Sequence, residues 1–438
     1  MMSRLLMFMW GSLFLFFVSG RASQPNRMDL NTAVVTCQND LIAAGLENIE
    51  IQVASGPTIW ISYENRRFRN EVLALGVVLV SSAHRFSSCH RIVLIPKYRN
   101  VTIKYIIVER EGFEQWLQDQ ISLTEFLAGV SIGWYPLSPA PYPGYIAPER
   151  QSSAFKFDLS FIPGCNAQFA QPKDPAQLQF NVTSNISFTV AKGFQMNGQL
   201  YATIYDEFQR FGHKNQTGFL QIQQLIRLPY QSFLSLSAGR FEFGCYGISS
   251  QLRHFLWRDR VSFSARIDWV DAHSIGQWLS ISRPINNRYS YLFQTDYRFE
   301  PVDVHFRVSW GRYLLGDSGW RIDIMRRFRE LELEFMGVWS QSLEFLTGMT
   351  VRIPFPMIRQ AMPSRFRLTS PRSIIWDYRY LPCYDGLILN TGESFERVAD
   401  QLTLSFIRAN SHYLKIARRY VKLDEAVFRH EYIPKRGS

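Results

Sequence analysis

From about residue 155 to residue 355, apolar and polar side chains alternate at every second position, in runs of about ten residues. Along residues 302–312, Val302, Val304, Phe306, Val308 and Trp310 fall on one side and Asp303, His305, Arg307 and Ser309 on the other. Along residues 261–269 the apolar set is Val261, Phe263, Ala265, Ile267 and Trp269, against Ser262, Ser264, Arg266 and Asp268. Residues 288–299 repeat the pattern, and Leu331, Leu333, Phe335 and Trp339 oppose Glu330, Glu332 and Glu334. A period of two predicts strands with unlike faces. Turn signals, of which Pro284-Ile285-Asn286-Asn287 and Gly316-Asp317-Ser318-Gly319 are the clearest, divide the region into roughly twelve to fourteen strands.

The preceding stretch reads differently. Residues 30–133 alternate between helical and strand-like patterns. Leu41 and Ile42 close a helix, with Leu46 and Ile49 in the turn after it. Ile59, Ile61 and Tyr63 predict a strand, and Val72, Leu75, Val78 and Leu79 a helix. Apolar runs at 92–95 and 103–108 are further strands. Short helices are expected at 113–117 and 123–127, the second opened by a Ser122/Glu125 capping box. Five prolines and one glycine between Tyr135 and Pro148 predict an extended linker without regular structure. After Pro356, residues 365–369 and 374–380 are candidate closing strands. Residues 395–421 read as helical and basic.

An alternating sheet is either a half-buried soluble sheet or a membrane barrel. Strands near the ~9–11 residues that cross a bilayer at a tilt, with full charges of both signs on the polar face, favour the barrel. Aromatics near strand ends (Trp257, Trp269, Trp278, Tyr313, Trp320, Trp339) suit interfacial girdles. The N-terminus agrees. Arg4, an apolar run over residues 5–18, and Ser19, Gly20, Ala22 and Ser23 form a secretory signal pattern. An exported protein with no second long apolar run enters a membrane as a closed sheet. The formal net charge of +11 fits anionic lipid headgroups or an acidic polymer, and export argues against nucleic acid. The five cysteines form no dense disulfide framework, although Cys37 and Cys89 fall in one unit and are candidates to pair. The chain ends in Pro434-Lys435-Arg436-Gly437-Ser438 rather than an aromatic-terminated strand, so the barrel is expected to close earlier and the tail to extend into the periplasm.

Two stretches resemble a known family. Tyr63-Glu64-Asn65-Arg66-Arg67-Phe68-Arg69-Asn70-Glu71, followed by Leu75-Gly76-Val77-Val78-Leu79, is similar to a segment of the YjbH/GfcD-type outer-membrane proteins. The run from Val308 to Gly319, with Gly311, Tyr313, Leu314, Gly316, Asp317 and Gly319, resembles a turn of that family's C-terminal barrel, and residues 236–247 an earlier Gly-rich hairpin. The resemblance spans about residues 35–380. It implies an outer-membrane β-barrel linked to exopolysaccharide or capsule production and export, with periplasmic polysaccharide-secretion proteins as partners.

Candidate chemistry is sparse. The eight histidines show no metal-ligand spacing, and no P-loop, Rossmann or nucleophile-elbow pattern occurs. His84, Cys89 and His90 share a loop that reads as solvated. Glu330, Glu332 and Glu334 read as lumen charges offset by Arg321, Arg326 and Arg327 rather than as a glycosidase pair. No catalytic residue, metal or cofactor is expected. Arg266, Arg298 and Arg307 are candidate lumen contacts to an acidic polysaccharide. Arg66, Arg67 and Arg69 are candidate contacts to a partner or glycan, since guanidinium forks grip carboxylates bidentately.

The chain therefore divides into a signal peptide (1–23), a periplasmic α/β module (30–133), a Pro-rich linker (134–152), an outer-membrane β-barrel (153–380) and a basic, partly helical C-terminal extension (381–438). The expected fold is mainly β: an antiparallel outer-membrane β-barrel behind a small periplasmic α/β module. The expected function is a non-enzymatic part of exopolysaccharide or capsule export. The competing readings are a closed, adhesin-like barrel without transport, and a soluble periplasmic carbohydrate-binding β protein.

Overall fold

The computed structural model describes residues 27–54, 57–134, 144–146, 149–169, 176–207, 215–271, 288–341, 345–380, 388–392 and 394–421. The signal pattern, Trp278, Pro284–Asn287 and Cys383 lie outside them.

The chain opens with α1 (Arg27–Ala43) and folds first into a small mixed sheet. Its strands are β1 (Leu46–Ala54), β2 (Thr58–Asn65), β3 (Arg91–Tyr98), β4 (Val101–Thr102), β5 (Lys104–Glu109), β6 (Ser131–Trp134) and β7 (Gly144–Ile146), in the order β6-β5-β3-β2-β1-β7 with β4 on β3. The crossover between the parallel strands β2 and β3 is α2 (Glu71–Arg85). Asn70 caps α2 by accepting a hydrogen bond from the Val72 amide at 2.8 Å. Next come α3 (Arg110–Leu117) and α4 (Leu123–Ala128), the latter opened by the Ser122/Glu125 capping box. Two local expectations are corrected. Leu46 and Ile49 belong to strand β1 rather than a turn, because both are buried against the helices. The linker is not wholly irregular either, since β7 pairs with β1.

Among the described residues the second sheet has fourteen strands. They are β8 (Lys156–Phe169), β9 (Ala176–Ala191), β10 (Phe194–Asp206), β11 (Asn215–Leu228), β12 (Ser232–Arg240), β13 (Tyr246–Leu256), β14 (Val261–Val270), β15 (Tyr289–Phe299), β16 (Val304–Arg312), β17 (Ser318–Phe328), β18 (Leu331–Ser340), β19 (Leu346–Pro354), β20 (Phe366–Thr369) and β21 (Ser373–Tyr380). From β8 to β19 each strand pairs antiparallel with the next. Strand β21 follows β19, and β8 pairs in parallel with β20 and β21 on the side away from β9. The strand expected from residue 302 begins at Val304. Glu300–Val302 form a 3-10 turn and Asp303 adopts a left-handed conformation. The Gly316 turn forms as expected, with Gly316 at φ +94°.

Burial on this sheet is inverted relative to a soluble protein. Along β14, Ile267 and Trp269 are 63% and 61% exposed, while Arg266 and Asp268 are 9% and 3% exposed. The same holds across the sheet. Phe293, Phe306, Trp310, Trp320, Ile324 and Phe335 are exposed, and Ser249, Arg253, Ser264, Arg298, Ser309 and Asp323 are buried. Two expectations change at this level. Arg326 lies on the exposed apolar face, over the Phe328 ring, and is not a lumen charge. Tyr313 is buried and so is no girdle residue.

The connections sort by length. Lys192–Gly193, 229–231, 257–260, 300–303 and 329–330 are tight turns at one end of the strands. The strand ends at Phe169, Ala176, Asp206, Asn215, Val270 and Tyr289, which longer stretches of sequence join, form the other, long-loop end. The mixed sheet sits at the tight-turn end. There the Gly193 amide donates to the Arg99 carbonyl at 2.7 Å, and the Arg227 guanidinium donates to the Thr102 and Ile103 carbonyls at 2.8 and 3.0 Å.

The C-terminal residues complete the first unit's core. α5 (Glu396–Gln401), α6 (Leu404–Ala409), α7 (His412–Ile416) and a 3-10 turn (Ala417–Tyr420) place Leu402, Phe406, Ile407, Leu414 and Ala417 in the same buried cluster as α1 and α2. Helix α2 is apolar around its circumference because it is covered on both sides. Gly76 makes this possible: a Cβ there would stand 2.8 Å from Ala417 Cβ and 2.9 Å from Leu414 Cα. Cys37 and Cys89 are both free and buried, so the candidate disulfide does not form.

Candidate functional site

Between the long-loop end and the tight-turn end, residues 389–392 and 394–405 run along the polar face of the large sheet. Asn390 donates to the Glu242 carboxylate, in the 3-10 turn after β12, at 2.6 Å. The Leu389 carbonyl accepts from Arg266 at 2.7 Å. Phe395 stacks on Phe233, with ring centroids 4.4 Å apart, and Trp134 and Phe255 complete that aromatic cluster. Glu396 meets Arg253 at 2.7 Å. Asp400 meets Arg327 at 2.8 Å and also pairs with Arg298. Ser405 donates to Asp303 at 3.3 Å. The segment thus carries acceptors at the positions where the sheet presents arginines.

Lys104, fully buried on β5, joins three parts of the molecule. Its Nζ meets Asp259 in a tight turn of the large sheet and donates to the Ala399 and Leu402 carbonyls at 2.8 and 3.3 Å. It also stands over the Trp134 ring. Burial pushes its pKa below the usual lysine value, and Asp259 pulls it part of the way back. Removing the lysine leaves Asp259 and two carbonyls of a helix end without their cation. Such a break of a buried pair is costly.

The six arginines singled out from the sequence are all placed, and they fall in two groups. Arg266, Arg298 and Arg307 lie on the polar face, each on a carboxylate of this chain: Asp268 at 2.8 Å, Asp400, and Asp296 at 2.7 Å. Arg66 pairs with Asp158 and, at 3.4 Å, with Glu47. Arg69 grips Glu330 with Nε and Nη2 at 3.2 and 2.7 Å, and Tyr413 donates to the same carboxylate at 2.7 Å. Arg67 lies near Arg359 and Arg367; burial, then these like charges, lower its pKa. The Arg66–Arg69 cluster is therefore where the mixed sheet fastens to the large one. The sequence reading missed Lys104, Glu396 and Asp400. Basic residues dominated the composition of the tail, and its few acids carried no periodic signal.

Beside the C-terminal segment a cavity of about 380 Å³ remains. Its walls come from β8–β11, from Glu64–Arg66 and Arg99 of the first unit, and from Arg367, residues 369–373, Asn390, Gly392 and Arg397. Among the described residues no group of three His, Cys, Asp or Glu side chains is arranged to hold a metal ion.

A family model, YjbH, described as exopolysaccharide biosynthesis protein YbjH, matches residues 21–331. No curated protein and no solved structure matches the chain.

Proposed function

Since the chain belongs to the YjbH family of exopolysaccharide biosynthesis proteins, we propose that it serves that process as a non-enzymatic outer-membrane β-barrel whose lumen is occupied by its own C-terminal segment. The carrying observation is the inverted burial along strands such as β14, with apolar side chains outward and charged ones inward. Lipid makes that arrangement favourable, because it covers the outward face and leaves the hydrogen-bonded interior polar. The two-sided pairing of β8 supports closure of the sheet into a ring with a parallel seam. The aromatic row at the long-loop end supports an interfacial girdle: Trp269 lies opposite Tyr289, and Trp320 opposite both Trp310 and Trp339. Tight turns face the periplasm in bacterial barrels, which supports a periplasmic position for the α/β unit packed at that end.

The Leu389–Ser405 course supports a closed resting state over a free polymer path. On the polar face Arg253, Arg266, Arg298, Arg307, Arg321 and Arg327 are engaged by carboxylates of the chain itself. Asp268, Asp296, Asp323 and Glu332 each meet an arginine, an arrangement that suits packing a lumen rather than proton transfer. In fractionated cells the protein should require detergent for release and should migrate faster on gels before boiling than after. Deleting it should lower cell-associated or secreted polysaccharide. Release by salt alone refutes the barrel, and unchanged polysaccharide refutes the role.

A further inference from the structure

The seam where β8 meets β20 and β21 is interrupted. Strand β8 pairs with β9 without a gap from Lys156 to Phe169, and β21 pairs with β19 without a gap from Ser373 to Tyr380. On its other side β8 meets β20 over residues 157–160, and then β21 only at Cys165 and Asn166. Among the described residues, 161–164 of β8 and 370–375 opposite them have no ladder partners across the seam.

The chain's own residues build this gap. The Phe157 amide donates across the seam to the Arg365 carbonyl at 2.8 Å, and the Leu159 carbonyl accepts from the Thr369 hydroxyl at 3.2 Å. Pro163 stands on the same side of the β8 backbone by the period of two and has no amide to donate. Prolines within sheets belong to edges and bulges, so β8 is an edge at this point. On the opposite strand, Ser370 is turned onto a side chain. Gln360 Oε1 accepts from the Ser370 amide at 2.7 Å and from its hydroxyl at 3.1 Å, and Gln360 Nε2 donates to the Ser370 carbonyl at 3.0 Å. Pro371 follows, again without an amide. A side chain thus takes the hydrogen bonds that a strand partner would make.

The cavity of about 380 Å³ lies directly behind the gap. Ser160 and Ile162 line it from β8, and Thr369, Ser370, Pro371 and Ser373 from the other strand. Both flanks of the gap are apolar on the inner side. Ile162 faces the cavity. Ile375 stands opposite Arg352, whose guanidinium meets Glu332, so it too points to the polar face. The corresponding positions on β14 are Ser262, Ser264, Arg266 and Asp268. On the outer side of the seam Phe161 and Leu368 are exposed. Apolar surface therefore leads from the outward face through the gap to a polar cavity.

We infer that this gap is a lateral opening that takes the acyl chain of a membrane amphiphile, with the polar head in the cavity. The missing rungs leave room for the chain, the isoleucines cover it, and the hydroxyls and amides of the lining hydrogen-bond the head. The cavity volume falls within the roughly 300–1,000 Å³ of ligand pockets. The inference rests on the barrel reading above and extends it to a barrel open to lipid on one side.

The test is photolabelling of the full mature protein in phosphatidylethanolamine vesicles, using a phosphatidylcholine probe with a diazirine at the end of one acyl chain. Adducts are mapped by mass spectrometry. Ile162 and Ile375 should be labelled at least fivefold more than Leu292, an apolar residue opposite Arg266 on the polar face of β15. Labelling no greater than at Leu292 overturns the inference. Ile162→Asp should lower the Ile375 adduct at least fivefold while keeping the heat-dependent gel shift. Ile375→Asp, read at Ile162, serves if the first variant does not fold, and an unchanged adduct in a folded variant overturns the inference. Dodecyl maltoside and dodecylphosphocholine, added below the concentrations that dissolve the vesicles, separate the sources of the ligand. Competition by the first alone assigns a sugar head, by the second alone a phosphate head, and by both a site selective for the chain; competition by neither overturns the inference. The gel shift reads the barrel separately, so a retained shift without labelling of Ile162 and Ile375 refutes the opening alone.

Discussion

Glu71 shows how a single side chain is set by what folds around it. It opens α2, is fully buried, accepts from Arg372 at 3.2 Å, and its backbone amide donates to Gln401 Oε1 at 2.9 Å. Burial raises its pKa above the ordinary glutamate range, and Arg372 offsets only part of that. A carboxyl raised on folding contributes stability that is complete below its unfolded pKa and is lost as pH rises through the folded one. Glu71→Gln should therefore raise the unfolding temperature by a few degrees near pH 7 and change it little near pH 4. Calorimetry at the two pH values checks this, and a loss of stability near pH 7 would show that the charge is needed for Arg372. The arginine cluster two to five residues upstream was visible in the sequence as a charged run. Its partners, Asp158 and Glu330, lie about 90 and 260 positions away in the chain, and no local pattern connects them.

At the scale of elements, local patterns were most readable where one face meets one environment. The period of two in β14–β18, the Ser122/Glu125 capping box and the α2 periodicity each form as read. The reading failed where a second surface intervened. The strand β7 was hidden in a proline-rich stretch because its pairing with β1 is not written in its own composition. Helix α2 was legible from Val72, Leu75, Val78 and Leu79 at helical spacing, yet it is buried all round because residues 396–420 cover its far side. Gly76 sets that approach, so Gly76→Val should overpack the contact with Leu414 and Ala417 and destabilise it by about 1–3 kcal/mol. Limited proteolysis should then cut within residues 396–420 faster than in the parent, and an unchanged cleavage rate would show that the contact relaxes freely.

At the scale of the whole molecule, the C-terminal segment links the α/β unit to the polar face through Glu396 and Asp400. In the proposed barrel this contact governs conduction. The parent protein should show no steady current in planar bilayers, because the segment fills the lumen and its charges are matched. Asp400→Asn with Glu396→Gln removes the segment's carboxylates from Arg253, Arg298 and Arg327, leaving Arg253 on Asp296 and Arg327 on Glu332, and should give frequent transient openings. Single-channel recording distinguishes the outcomes, and a large steady conductance in the parent would contradict an occupied lumen.

The sequence by itself determined the two kinds of element, the order of the two units, and the two faces of the large sheet. Those follow from periodicity, which needs only neighbours along the chain. It also carried the family resemblance, through the Tyr63–Leu79 block. Only the tertiary structure decided which carboxylate each arginine meets, that the tail returns along the polar face to finish the first core, and that a polar cavity of about 380 Å³ is left beside it. Those depend on contacts between residues hundreds of positions apart. Such contacts are chosen by burial and charge matching in three dimensions and leave no period in the chain.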